Sequence, residues 1–204
     1  MKKTFIRWTS MLINTFRLKG SHKHQHNIKN SRRLLKKLST FEHDASALAY
    51  LRKINPLVFE ELTLSLLEQR GILVLRSKSY SGDGGLDGRF YWPGRGWHAI
   101  QCKRYGRAIT PSHARAFAEL CQKRFKGGMF VHTGRTGDSS QEALADSSLF
   151  ILSGSDLASC ARDTTADPLA LALARKARQA RRSALPPSAV APKRQPRQVS
   201  PKDR

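Results

Sequence analysis

Leu86-Asp87-Gly88-Arg89-Phe90-Tyr91-Trp92-Pro93-Gly94-Arg95-Gly96-Trp97-His98-Ala99-Ile100-Gln101-Cys102-Lys103 is the stretch on which the fold turns. Two runs rich in aromatic and β-branched residues flank Pro-Gly-Arg-Gly, the composition of a hairpin turn. In a strand, residues two apart share a face. Ala99, Gln101 and Lys103 therefore point one way, and His98, Ile100 and Cys102 the other. On the first strand, Leu86 and Phe90 share a face opposite Asp87, Arg89 and Tyr91. The register decides which of these faces coincide, because directly paired antiparallel residues project to the same side. A four-residue loop over 93–96 sets Asp87 against Cys102 and separates the polar groups. An odd loop, 93–95 or 92–96, sets Asp87 against Gln101. We expect the odd register, because it gathers Asp87, Gln101 and Lys103 and sends Leu86, Phe90, Ile100 and Cys102 to the other face.

That polar group has a chemical meaning. A carboxylate and an amide carbonyl are hard oxygen ligands suited to Mg²⁺, which also keeps waters. A lysine beside them can orient a nucleophile or stabilise charge developing on a phosphate. The set is suited to metal-assisted hydrolysis of a phosphodiester. A helix opening at Pro56, with Asn55 as N-cap and Gly71 just past its end, offers a further carboxylate in its first turn, Glu60 or Glu61. Phe59, Leu62, Leu66 and Leu67 give this helix its apolar spacing.

Around these elements the chain reads as helix, strand (72–76), the two hairpin strands, helix from Thr110-Pro111, strand (129–133), helix (139–147) and strand (149–152), with a last turn from Ser155 to about Cys160. This is an α/β sandwich with a small mixed sheet flanked by helices. Three segments are expected. Residues 1–54 form a basic, partly helical extension, 55–162 the compact domain, and 163–204 a basic Ala/Pro-rich tail, mostly disordered, in which 169–182 forms a helix only transiently. His22-Lys23-His24-Gln25-His26 has no carboxylate or cysteine nearby and reads as a polar linker.

The net charge of +22 over 204 residues is unevenly spread. Residues 1–40 hold 11 Lys/Arg and no acid, and 168–204 hold 10 Lys/Arg against Asp203 alone. Basic arms around a nearly neutral body favour polyanions through counterion release. Cys102, Cys121 and Cys160 form no CxxC pair, which fits a reducing compartment. The start, MKKTFIRWTSMLINTFRLKG, is broken by Arg7 and Arg17 and reads as a basic amphipathic segment rather than an export signal. No apolar run approaches the ~20 residues of a membrane span, so a cytoplasmic location away from the membrane is expected.

Phe59-Glu60, Gly82-Asp83-Gly84-Gly85-Leu86-Asp87, Gln101-Cys102-Lys103-Arg104-Tyr105 and Thr133-Gly134 together resemble the Mrr-like restriction endonuclease family, a QxK variant of the PD-(D/E)xK nuclease superfamily. The likeness covers roughly 55–160. It implies a restriction-endonuclease-like fold with a catalytic hairpin and Mg²⁺-dependent cleavage of DNA. It implies Asp87 and Lys103 as the catalytic pair, Gln101 in the place of the superfamily's usual acid, and Glu60 as the helical acid. Asp87, Gln101 and Glu60 are then the metal ligands, and Asp83 matches the first acid of its motif. With an amide replacing one carboxylate, Mg²⁺ binding is expected to be weaker than at an all-acid site. Gly88 departs from the pattern, which usually has a β-branched or apolar residue there. Arg89, Arg104 and Arg107 are candidate phosphate contacts. Double-strand cutting calls for two sites and hence a homodimer. The competing reading is a DNA-binding protein on a nuclease-like fold with weak or lost catalysis.

Overall fold

The computed structural model describes residues 22–77, 85–146 and 148–184. Its helices are α1 (His22–Leu38), α2 (Asp44–Leu51), α3 (Pro56–Gln69), α4 (Pro111–Arg124), α5 (Asp138–Ala143), α6 (Gly154–Arg162) and α7 (Pro168–Ala184). Its strands are β1 (Val74–Arg76), β2 (Gly88–Trp92), β3 (Gly96–Lys103), β4 (Gly128–His132) and β5 (Leu149–Ser153). They form one mixed sheet in the order β1-β2-β3-β4-β5. The pairs β1/β2 and β2/β3 are antiparallel, and β3/β4 and β4/β5 parallel.

The hairpin adopts the odd register. Gly88 pairs with Ile100 and Trp92 with Gly96, leaving Pro93–Arg95 as a three-residue turn. The Arg95 N–H closes it on the Trp92 carbonyl at 2.9 Å, with Gly94 at φ +75° and Gly96 at φ +86°. Both glycines take conformations that side chains disfavour. Trp92 is buried against Phe150, ring centroids 4.6 Å apart, so this tryptophan is a core residue.

One sheet face carries Phe90, Trp92, Ile100, Cys102, Met129 and Val131 onto α3, α6 and the helices beyond them. The other carries Ala99, Phe130 and Ile151 onto Phe117 and Cys121 of α4. Leu86 corrects the expected face sorting: it packs with Ala99 and Phe117, not with Phe90. The reason is local, since β2 begins only at Gly88 and strand alternation does not extend back to Leu86.

Helix α3 forms as its caps dictate. The Leu57 N–H donates to Asn55 Oδ1 at 2.9 Å, Pro56 opens the helix, and Gly71 at φ +74° follows its end. It is buried on more than its apolar stripe, because Glu61, Thr63 and Ser65 are covered too.

The covering element is α1, which corrects the linker reading of 22–26. His22 to His26 form its first turns, and His24, Asn27, Ser31, Leu35 and Leu38 make its buried stripe. Polar pairs replace oily contacts along much of that seam. His24 Nδ1 lies 3.3 Å from Glu61 Oε1, and the Ser31 and Ser65 hydroxyls are 3.0 Å apart.

The tail also differs from its expectation over 168–184. Helix α7 is docked, with Leu169 and Ala172 buried. Its Lys176 ammonium donates to the Leu149 carbonyl at 2.6 Å. Residues 1–21 and 185–204, which carry much of the arms' charge, lie outside the described residues. Cys102, Cys121 and Cys160 are free and buried. Among the described residues no helix is long and apolar enough to cross a membrane.

His132, at the end of β4, is fully buried. Burial, then the Arg175 guanidinium, push its pKa down to about 3. Below its ordinary pKa the unfolded chain takes up a proton that folded His132 refuses, so its contribution is present above about pH 6.5 and shrinks as pH falls toward 3. At pH 5 the loss amounts to about 2 kcal/mol. Denaturant titrations of wild type and His132→Asn at pH 7 and pH 5 should show the variant losing about 2 kcal/mol less on acidification. Raised carboxyl groups elsewhere act in the opposite sense and cancel in this difference.

Candidate active site

At the end of the hairpin away from its turn, three elements bring titratable groups together. Glu60 lies on the first turns of α3, Asp87 just before β2, and Lys103 at the end of β3. All three are half-buried. Burial, then the Asp87 charge, push the Glu60 pKa up to about 8, with Lys103 pulling it back. Asp87 is raised to about 6, mainly by burial, against the Cys102 N–H and Lys103, which hold it down. Two desolvated carboxyl groups and an ammonium thus share one electrostatic site, whose carboxyls repel one another.

Asp87 is fixed chiefly by backbone groups. The Cys102 N–H donates to Asp87 Oδ2 at 2.6 Å, and the Asp87 N–H to the Ile100 carbonyl at 3.1 Å. The carboxylate stands in for a strand carbonyl just past the end of the ladder. It is thereby tied to the Gln101–Cys102 peptide.

Gln101 is buried, and its amide donates to the Gly85 carbonyl at 2.6 Å. That orientation leaves Oε1 buried and, among the described residues, without a hydrogen-bond partner. A buried orphan acceptor is costly unless a ligand uses it. Gly85 makes the contact available. It sits at φ +85°, and a Cβ there would lie 2.5 Å from the Gln101 amide nitrogen. Gly82, Asp83 and Gly84 lie outside the described residues.

The two glutamates of α3 divide their tasks. Glu61 is buried among His24 and Arg76, with the Arg76 Nε–H donating to Glu61 Oε2 at 2.8 Å. Arg76 also donates to Glu68 Oε2 at 2.9 Å and to Ser65 Oγ at 3.1 Å. Burial alone would raise Glu68, but its bonds to Arg76 and the charge of Arg32 hold it below the usual range. Glu61 thus belongs to the network joining α1, α3 and β1. Glu60 faces Asp87 and Lys103.

Two carboxyls with raised pKa, Glu60 and Asp87, and the Gln101 amide oxygen, which has no partner among the described residues, are donors of the kind a hard divalent cation takes. Among the described residues no group of three or more His, Cys, Asp or Glu could hold a metal ion.

The segment after Lys103 is clamped to β4. The Tyr105 N–H donates to Thr133 Oγ1, which donates in turn to the Tyr105 carbonyl, both at 2.9 Å. Arg104 is exposed here and donates to the Arg52 carbonyl at 2.5 Å, and exposed Arg107 follows. Arg52 was missed by sequence reasoning. Its Nε–H donates to the Thr133 carbonyl at 2.9 Å, and nothing in its local sequence marks it. Tyr105 also bonds His113 of α4. Arg89 stands apart from this group, with its guanidinium 5.4 Å from the Phe125 ring at the far end of α4.

The family model described as restriction endonuclease matches residues 51–161. The chain belongs to the Mrr-like restriction endonuclease family. Among solved structures, MspJI restriction endonuclease in complex with a 27-mer oligonucleotide is similar at 20% identity and a TM-score of 0.34, covering 72% of this chain and 34% of that one. The chain therefore spans about a third of that structure's length. No curated protein matches. The family match takes in Glu60, Asp87, Gln101 and Lys103, and the mixed five-stranded sheet between helices is the α/β sandwich expected of a family member.

Gly88, the departure from the family pattern, tightens the site. A Cβ there would stand 2.9 Å from the Leu75 carbonyl oxygen and 3.0 Å from Leu64 Cδ2, so α3 and β1 close onto the strand at that point. Gly88→Ala is expected to lower stability by about 1–3 kcal/mol in urea unfolding. Gly85→Ala should cost about 1–3 kcal/mol through its backbone conformation and also displace the Gln101 amide. Unchanged unfolding midpoints for both variants would contradict this packing.

Proposed function

We propose that the chain is a Mg²⁺-dependent endodeoxyribonuclease of restriction type, with Glu60, Asp87, Gln101 and Lys103 as its catalytic residues. The observation that carries this reading is the electrostatic convergence of Glu60, Asp87 and Lys103, on a hairpin whose Gln101 carbonyl oxygen has no partner among the described residues. In this reading Glu60, Asp87 and Gln101 hold the cation. When bound, the cation supplies Lewis-acid chemistry, polarising a phosphoryl oxygen and making water more acidic.

The chain's own groups do the rest. Asp87, pinned by the Cys102 N–H, keeps its carboxylate in place while the substrate changes. Lys103 presents an ammonium where negative charge grows on the phosphoryl group as the bond to the leaving oxygen breaks. Glu60, on a helix buried against the sheet, supplies the second negative arm from a rigid mount. Arg52, Arg104 and Arg107 form a basic rim that contacts DNA phosphates on either side of the scissile bond. The proposed catalytic residues lie within 55–162, on a core that α1, α2 and α7 also build, and two copies of the chain act on the two strands of a duplex in the cytoplasm.

Cleavage of supercoiled plasmid in Mg²⁺ should be abolished by EDTA and reduced on the order of a hundredfold or more by Asp87→Ala or Lys103→Ala. Glu60→Ala and Gln101→Ala are expected to lose roughly 10–100-fold. Equal cleavage by all the variants and wild type would overturn the assignment. No cleavage by wild type, with DNA binding intact, would favour a binding protein on a nuclease fold.

Gln101→Glu restores a third carboxylate. It should tighten Mg²⁺ binding, read calorimetrically as a lower Kd and as a larger rise in Tm on adding the ion. A variant that binds Mg²⁺ no better than wild type would remove Gln101 from the ligand set.

A further inference from the structure

At the turn end of the hairpin, roughly 20 Å along β3 from Lys103, lies a 360 Å³ cavity lined by Arg89, Trp97, Lys123, Arg124, Phe125 and Lys126. It is about the size at which small-molecule pockets begin, too small for a duplex and large enough for a nucleotide. Its four basic side chains are exposed, and no Asp or Glu lines it. Among the described residues none of the four forms an ion pair.

Its two aromatic rings are half-buried and stiffly mounted. Trp97 stands edge-on to Tyr91 across the hairpin, centroids 5.6 Å apart, and Phe125 closes α4 beneath the Arg89 guanidinium. The remaining large aromatics of this hairpin, Phe90 and Trp92, are packed in the core. Trp97 and Phe125 are turned instead toward a ring of cations.

We propose that this groove binds an unpaired stretch of nucleic acid, with a base against Trp97 and its phosphates among Lys123, Arg124 and Lys126. Cations alone would serve any polyanion, but a flat π face beside them recognises a base, and only an unstacked base can reach it. Arg89, already stacked on Phe125, extends that platform through its planar guanidinium. The groove lies several nucleotides from the catalytic end and takes a frayed or displaced strand rather than the duplex being cut.

The inference rests on the nuclease reading for the identity of the polymer, and the experiment separates the two. Anisotropy of labelled oligothymidylate and of a duplex of equal length is measured on the full chain in EDTA, where no cleavage is needed. The basic arms act on both probes, so the ratio of the two affinities is the readout. Trp97→Leu should weaken oligothymidylate binding about tenfold or more and leave duplex binding unchanged, and Trp97→Phe should restore most of the loss. Lys123→Gln with Lys126→Gln, both exposed and hence safe for folding, should lower the salt slope for oligothymidylate by about 1.4 without changing the duplex slope. Equal losses on both probes, no loss on either, or competition by polyglutamate as strong as by oligothymidylate would each overturn the proposal. A wild-type chain that fails to cleave plasmid yet shows the Trp97 effect would leave the groove standing and remove the nuclease.

Discussion

The pairing of Trp92 with Gly96 across a three-residue turn carries Asp87 to the level of Gln101, and that registration fixes what each side chain of the hairpin faces. A slip of one residue would exchange the faces of the whole strand. Phe90 and Trp92 would leave the core, and the Asp87 carboxylate would no longer meet the Cys102 N–H. The register is held from both ends. Two positive-φ glycines close the turn, and the carboxylate hydrogen bond closes the open end. The group that carries charge into the site is therefore also part of the strand pairing. Function and fold share a contact here.

A second constraint comes from α3, which is wedged between the sheet and α1. Its neighbouring glutamates meet opposite surroundings. Glu61 is neutralised by Arg76 and enclosed, while Glu60 is left beside another carboxyl. A buried carboxylate without a partner would be strongly destabilising, so the Arg76 network lets the helix keep acid side chains on both flanks. The helix is held rigid on one side, and the strained charge is confined to the other.

Much of this was legible in the sequence because it depended on short-range rules. Alternation gave the hairpin faces and the odd register, and Asn55-Pro56 and Gly71 marked the ends of α3. Leu86 escaped because alternation applies only inside a strand, and the chain had not yet entered one. The first turns of helix α1 escaped for a different reason. The helix's buried stripe is His24, Asn27, Ser31, Leu35 and Leu38, helical in spacing but mostly polar at its first half. Periodicity is read from apolar residues, and polar ones become interior only through partners such as Glu61 and Ser65 far along the chain. The Ala/Arg tail likewise resembles a solvated segment until Leu169 and Ala172 find their seat. At the site, helical spacing alone left Glu60 and Glu61 open, and only the Phe59-Glu60 motif favoured Glu60; the physical reason, Arg76 taking Glu61, was not readable from the chain. Arg52 could not be found at all, since its role rests on a carbonyl 81 residues away.

The bonds of Arg70 bear on what counts as a portable unit. From the end of α3 its guanidinium reaches the carbonyls of Cys160 at 2.5 Å, Asp163 at 2.7 Å and Ala166 at 3.1 Å, while Arg162 reaches back to Phe41 and Glu42. A piece cut to the family match, 51–161, would sever all of these ties but the one to Cys160 and strip α1 and α7 from an exposed core. The part recognisable by descent is thus smaller than the part that can stand alone. Recombination that exchanged only the recognisable portion would carry off a site without its foundations, and the flanking helices would have to travel with it.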